Sequence, residues 1–278
     1  GNYFPGTYLL VDILSKVFPN PYSAVTVYLI FFTAFILIFT YYNVKTDSFM
    51  ESLQNAFIIS LMSYPFLFAF QTANLEIITF ISISLFFFFY TKSRIVSIIF
   101  LAYAISMKFF PGIFIIMLLI EKRYKDVFLT CIFTILFTLL PLLIFDGGFN
   151  KGIGSYIAHL KEGQQFYMDV MIIGAPGFHY GHSLLNSLTV IFSNFVTTYM
   201  KEIIFPYTIF VLTSFLAIVG YLIFFEKIFW RKVAVLVMMM NLFPFTSTDY
   251  KLLYIFLPLF FLINHSKKDK HDTIFIIL

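Results

Sequence analysis

An all-α, polytopic membrane bundle is the fold class this sequence predicts, and three observations carry that prediction. Of 278 residues, 60% are hydrophobic and only 12% are charged, where a soluble domain carries about 25% charged residues. Mean hydropathy is +0.92. Long apolar runs alternate with short charged clusters along the whole chain. In lipid a spanning segment must satisfy its own backbone polar groups, and for runs of this kind that means helix. A single transmembrane domain over residues 1–278 is expected, with about nine crossings made by short and broken helices. Residues 146–201 are expected to form an extracytoplasmic loop with a helix lying against the membrane.

The elements follow in order. Tyr3–Phe18 reads as a short, half-buried helix on the outer face, leading into the first span. Apolar runs then fall at Tyr22–Tyr42, Ala56–Phe70, Leu75–Tyr90, Ile95–Met107, Phe109–Ile120 and Val127–Phe145. After the expected outer region come Ile203–Phe225, Val233–Phe245 and Leu252–Ile263. Several runs are shorter than the roughly 20 residues a span needs. Short helices meeting at polar breaks are tolerated where backbone lines a cavity. Within the outer region, Asp146–Gly181 reads as a long glycine-rich loop holding a short amphipathic pattern, Ile153–Gln165. Leu184–Tyr199 reads as the membrane-lying helix.

Basic clusters set the orientation. They are Lys92/Arg94, Lys122/Arg123/Lys125, Lys227/Arg231/Lys232 and Lys267/Lys268/Lys270, and the positive-inside rule puts all four in the cytoplasm. Between the first two clusters the chain must cross an even number of times. One straight helix from Ile95 to Ile120 would break that parity, so the chain is expected to turn back at Lys108–Pro111. The proline breaks the helix there. An unpaired ammonium in lipid costs roughly 2.5–3.5 kcal/mol on insertion scales, so Lys108 points to a polar cavity and an anionic occupant. The plain alternative is a lysine that snorkels to the headgroups.

By the same parity one face collects Gln71, Asn74, Glu76, Lys108, His159, His179, His182, Asp249, Tyr250 and Lys251. Glu76 is either a solvated carboxylate at a helix start, favoured by the helix dipole, or a sugar or metal contact. His179 and His182 have no evident third ligand, so no metal site is expected. Asp249-Tyr250-Lys251 is either an interfacial belt or part of the site. The net charge of +4 is spread over short loops and speaks to topology, so no nucleic-acid partner is expected. The single cysteine, Cys131, excludes an intrachain disulfide. No Walker loop, nucleophile elbow or zincin helix occurs. The chain opens at Gly1 without a basic leader region, and the missing initiator Met leads to the expectation that residues precede it.

The order of motifs resembles the middle of glycosyltransferase family 87. The residues that carry the resemblance are Gln71-Thr72-Ala73-Asn74-Leu75-Glu76, Thr91-Lys92-Ser93-Arg94, Ala102 through Pro111 with Lys108, and Glu121-Lys122-Arg123-Tyr124. His182-Ser183-Leu184 and Asp249-Tyr250-Lys251-Leu252 with Leu257-Pro258 extend it, and Tyr3-Phe4-Pro5 looks like the family's aromatic-proline segment. The resemblance implies a GT-C fold, similar to polyprenyl-phosphate-mannose-dependent mannosyltransferases. It implies transfer of a hexose, such as mannose, from a polyprenyl-phosphate sugar donor to an acceptor on the extracytoplasmic face of a plasma membrane of bacterial type. It implies no cofactor. Lys108 would bind the donor phosphate, and Asn74, Glu76, His182, Asp249 and Tyr250 would contact substrate. The family's catalytic Asp belongs to a first outer loop that would lie upstream of Gly1. Asp12, in the middle of an apolar helix, is not assigned that role. The competing reading is a transporter or flippase for a lipid-linked or anionic solute, which would also want a cation at a helix break. A third is a non-catalytic membrane subunit.

Overall fold

The computed structural model describes residues 5–144, 148–166, 169–170, 181–192 and 198–264. Among these the chain is helical, with short 3-10 segments and no strand. His179, Tyr3, Phe4 and the basic tail Lys267/Lys268/Lys270 lie outside the described residues.

Capping residues in the sequence set the helix starts of the first half. Helix α1 (Pro5–Val17) packs against the end of a later helix, and Thr7 Oγ1 donates to the Met107 carbonyl at 3.3 Å. Helix α2 (Pro21–Asn43) begins at Asn20, whose side chain accepts from Tyr22 N, with Pro21 in the first turn where its missing N–H costs nothing. Helix α3 (Phe49–Leu61) begins at Ser48, which caps Glu51 N, a Ser-x-x-Glu start. The expected run Ala56–Phe70 is broken. Pro65 cannot continue a helix across Met62–Ser63, and α3 meets α4 (Tyr64–Thr72) at a 60° bend.

Helices α5 (Glu76–Phe89) and α6 (Arg94–Met107) form an antiparallel hairpin. Ser97 Oγ donates to the Phe86 carbonyl near one end, and Glu76 pairs with Lys108 at the other. The helix ends at Met107. Lys108 is extended, with φ −150° and ψ 144°. A 3-10 turn (Phe110–Phe114) and the short α7 (Ile115–Ile120) then return the chain. Helix α8 (Tyr124–Ile144) runs parallel to α6, since Arg94 meets Asp126 and Tyr103 meets Phe137. Ile95–Ile120 is therefore no single rod, and the turn at Lys108–Pro111 is present as parity required.

The segment read as a glycine-rich loop differs from expectation. Gly148–Phe166 is a 19-residue helix, α9, laid against α8, where Gly152 leaves a close approach to Leu142. Ile157, Leu160 and Phe166 stay exposed, so the contact with α8 is made on the side that carries Gly152. The helix expected over Leu184–Tyr199 is shorter. Helix α10 covers Leu184–Ile191, and residues 193–197 lie outside the described set. Helices α11 (Met200–Phe224), α12 (Phe229–Leu242), a 3-10 turn (Asp249–Ile255) and α13 (Phe256–Ile263) complete the bundle.

Among the described residues α2, α8 and α11 are long and apolar enough to cross a membrane alone, and the bent α3–α4 pair makes up to four. The expected nine crossings were drawn from apolar runs, and helix length by itself supports only these. Their outward faces are large and apolar, as at Phe31 (64% exposed) and Phe205 (73%), which suits hydrocarbon. The interior is filled by rings. Phe66 stacks on Phe256 at 4.5 Å, Phe39 meets Phe260, and Phe80 meets Tyr254. Such pairs add about 0.5–1.5 kcal/mol each beyond area burial.

The three basic clusters among the described residues gather at one end. Arg94 and Arg123 both bind the buried Asp126, Arg123 at 2.7 Å, and Tyr90 meets Phe229 beside Arg231 and Lys232. Asn264 reaches the Asn43 carbonyl at this same end. Glu76, Lys108 and Asp249 lie at the opposite end.

Candidate functional site

Two strong local choices build the opposite end. The first is the start of α5. Asn74 Oδ1 accepts from Glu76 N at 2.9 Å, and the Asn74 carbonyl accepts from Tyr28 OH at 2.7 Å. Asn74 thus fixes the helix start and, with it, the position of Glu76. The second is the extended residue Lys108, which ends α6 and carries its amine across the hairpin to Glu76.

Glu76 is fully buried. One carboxylate oxygen accepts from Lys108 Nζ and the other from Tyr254 OH. Of the two readings open at the sequence level, the solvated helix-start carboxylate is therefore excluded. A buried carboxylate needs partners for both oxygens, because isolating it costs far more than one hydrogen bond returns. The Lys108 side chain is 13% exposed, and its amine lies 4.6 Å from the centroid of the Tyr250 ring. A negative ring face attracts a cation at that range.

Lys251 lies just ahead of the last apolar run. It is 9% exposed, and its ammonium sits 5.0 Å from the Phe110 ring centroid. Among the described residues no carboxylate lies within salt-bridge distance of it. Burial pushes its pKa down to about 8, with Glu76 opposing that shift and Lys108 reinforcing it. Lys251 had been read only as part of the Asp249-Tyr250-Lys251 run, with no role of its own.

Asp249 accepts from Tyr64 OH and is hydrogen-bonded to His182 Nε2. His182 is brought there by its backbone. His182 N donates to the Ser247 carbonyl at 2.6 Å, and Gly181 forms an antiparallel bridge with Thr248. A Cβ at Gly181 would run into the Asn186 amide, so this approach requires glycine. The Asn186 amide in turn accepts from Ser183 Oγ, the cap of α10.

The structure thus brings together Glu76, Lys108, Asp249, Tyr250 and His182, with Asn74 as the cap behind them. His159 lies elsewhere, on α9, bonded to Tyr8 of α1 at 3.0 Å beside a separate cavity of about 340 Å³. Asp12 is exposed and paired with Lys16 at 2.8 Å. Sequence reasoning missed Tyr64, Tyr254 and Gly181. The two tyrosines sit inside apolar runs, where a phenol reads as one more aromatic. Among the described residues no group of three His, Cys, Asp or Glu side chains is placed to hold a metal.

An apolar cavity of about 920 Å³ lies beside the site, between the Phe110–Phe114 turn, α7, α8, α11 and α12. Phe110 is part of its wall, and the ring of Phe110 also packs edge-on against Tyr254 at 5.6 Å.

Compared with known proteins, residues 3–243 match the model of glycosyltransferase family 87. No curated protein and no solved structure gives a match.

Proposed function

Since the chain belongs to glycosyltransferase family 87 and is a membrane glycosyltransferase, we propose that it takes a hexose from a polyprenyl-phosphate donor. The acceptor hydroxyl attacks C1 of the sugar, a base takes its proton, the bond from C1 to the phosphate oxygen breaks, and polyprenyl phosphate leaves. The single observation that carries this reading is a pair of buried lysines at the end of the bundle away from the basic clusters. Lys108 and Lys251 flank one buried carboxylate, Glu76, beside a cavity with apolar walls. That combination suits an anion attached to a hydrocarbon chain.

The chemistry follows from the charges. A glycosyl phosphodiester carries one negative charge. The departing phosphomonoester carries nearly two at neutral pH, because its second pKa is about 6. Cations already in place stabilise the charge that develops, with no reorganisation as the bond breaks. Lys108 is assigned to the donor phosphate. An ammonium has three N–H donors, so one group can serve Glu76 and a phosphate together. Glu76 and Tyr254 hold that amine in position, and Asn74 holds Glu76. Tyr250, Asp249 and His182 form the polar side on which sugar and acceptor would be read. Proton removal by a positioned base contributes about 10²–10⁴-fold.

The orientation supports transfer at the extracytoplasmic face. The three basic clusters among the described residues gather at the far end of the bundle, and the positive-inside rule puts that end in the cytoplasm. Family membership sets aside the transporter reading.

The test uses E76Q/K108Q, which removes both members of the ion pair and leaves no unpaired carboxylate there. Turnover with a polyprenyl-phosphate hexose should fall at least about a hundredfold, as expected when a positioned charge in the transition state is lost. Unchanged turnover would remove this pair from the mechanism.

A further inference from the structure

The arrangement of charges locates the phosphate more closely. Glu76 carries one negative charge, and Lys108 and Lys251 carry one positive charge each. With Asp249, the other buried carboxylate of the site, the four charges sum to zero, so the placement of the anions, and not their number, sets Lys251 apart. Glu76 engages Lys108 directly. Asp249, the nearest other carboxylate in sequence, is committed to Tyr64 and His182. Lys251 is buried with the face of Phe110 against its ammonium, and among the described residues Glu76 acts on it only from beyond salt-bridge distance. A buried ammonium in that setting is costly unless an anion completes it.

The same phenyl ring that contacts Lys251 walls the apolar cavity of about 920 Å³. No charged side chain lines this cavity. Its polar groups, Thr134 and Thr208, point their hydroxyls at the carbonyls of Ala102 and Ile204. Its surface is therefore hydrocarbon in character, and Lys251, outside the lining, meets it through the ring of Phe110.

We propose that Lys251 is the principal ligand of the donor phosphate and that the isoprenoid chain attached to it lies in the cavity beyond Phe110. This rests on the donor class argued above, and it transfers to Lys251 the larger share of the role that sequence reasoning gave to Lys108. Lys108, tethered by Glu76, faces the same phosphate from the sugar side. Sequence alone hid this, since Lys108 stands out in an apolar run whereas Lys251 stands beside an aspartate that looks like its counterion.

The experiment is equilibrium binding to purified protein in nanodiscs. The probes are a long-chain polyprenyl phosphate, the neutral polyprenol of equal length, and geranyl phosphate, which has the same head on a short chain. K251Q should weaken long-chain phosphate binding at least about tenfold, as loss of one charged hydrogen bond implies, and K251R should restore most of it. Polyprenol binding should be indifferent to K251Q. Gly112 lines the cavity, and no atom stands within 4 Å of a Cβ built on it, so a side chain can start there and G112F adds bulk at the cavity wall. G112F should weaken the long-chain probe and spare geranyl phosphate. Should K251Q not fold, G112F and the wild-type preference for phosphate over polyprenol still carry the test. Phosphate binding by K251Q within twofold of wild type overturns the head assignment, and an unchanged long-chain affinity in G112F overturns the chain assignment. If binding behaves as expected but the protein moves no sugar from any polyprenyl-phosphate donor, the proposed function falls while the lipid site stands.

Discussion

Glu76 is the residue around which the site is organised, and its energetics can be separated. Removing Lys108 alone leaves a buried carboxylate that keeps the Tyr254 hydrogen bond but loses its contact ion pair, with Lys251 the remaining cation near it. Stranding one partner of a buried pair costs about 3–5 kcal/mol, while removing both is often close to neutral. K108Q should therefore lower thermal stability in detergent much more than E76Q/K108Q does. Equal losses in the two variants would show that Lys108 and Glu76 do not interact across the hairpin. The sequence marked both residues, because a charge inside a greasy run is conspicuous. It did not reveal that they are partners. Thirty-two positions separate them, and Tyr254 is 178 positions from Glu76. Only the packing of α5 against α6, and of the last 3-10 turn against α5, joins the three.

At the scale of elements, the break after α6 was legible and the arm that carries His182 was not. Lys108 followed by Pro111 announces a helix end, and parity between two basic clusters requires a return. Gly148–Phe166 was misread because its glycines suggest a loop, yet docking on α8 makes it a helix. The His182 arm is held by a backbone pairing with the segment before Asp249, and no local pattern signals a bridge of one residue pair. Its weak point is Gly181. In G181A the new methyl would collide with the Asn186 side chain, and overpacking of this kind costs about 1–3 kcal/mol. Transfer should fall about tenfold or more with expression retained, and G181A/N186A, which removes the colliding atoms, should recover much of it. A G181A enzyme with normal kcat/KM would mean that the placement of His182 is immaterial.

For the whole molecule, composition and charge distribution fixed the class, since 60% hydrophobic residues with basic clusters at intervals admit little besides a membrane bundle. They did not fix how many segments cross, because α5, α6 and α7 are too short to count by length. The two ends of the bundle nonetheless differ sharply, and the difference can be read directly. With Cys131 replaced, a cysteine at Thr72, beside the site, should react with an impermeant maleimide added outside intact cells. A cysteine at Lys125, in the basic end, should react only after the membrane is opened. The reverse pattern would put the site in the cytoplasm and exclude an extracytoplasmic acceptor.

Donor choice joins these scales, because the lysines, the apolar cavity and the two-ended bundle all bear on where the sugar comes from. The decisive measurement offers purified protein in proteoliposomes a radiolabelled hexose, once on polyprenyl phosphate and once on a nucleoside diphosphate, with a membrane-extract acceptor. Label should pass to acceptor from the lipid-linked sugar alone. Transfer from the nucleotide sugar at an equal or greater rate would contradict a site built for a lipid's phosphate.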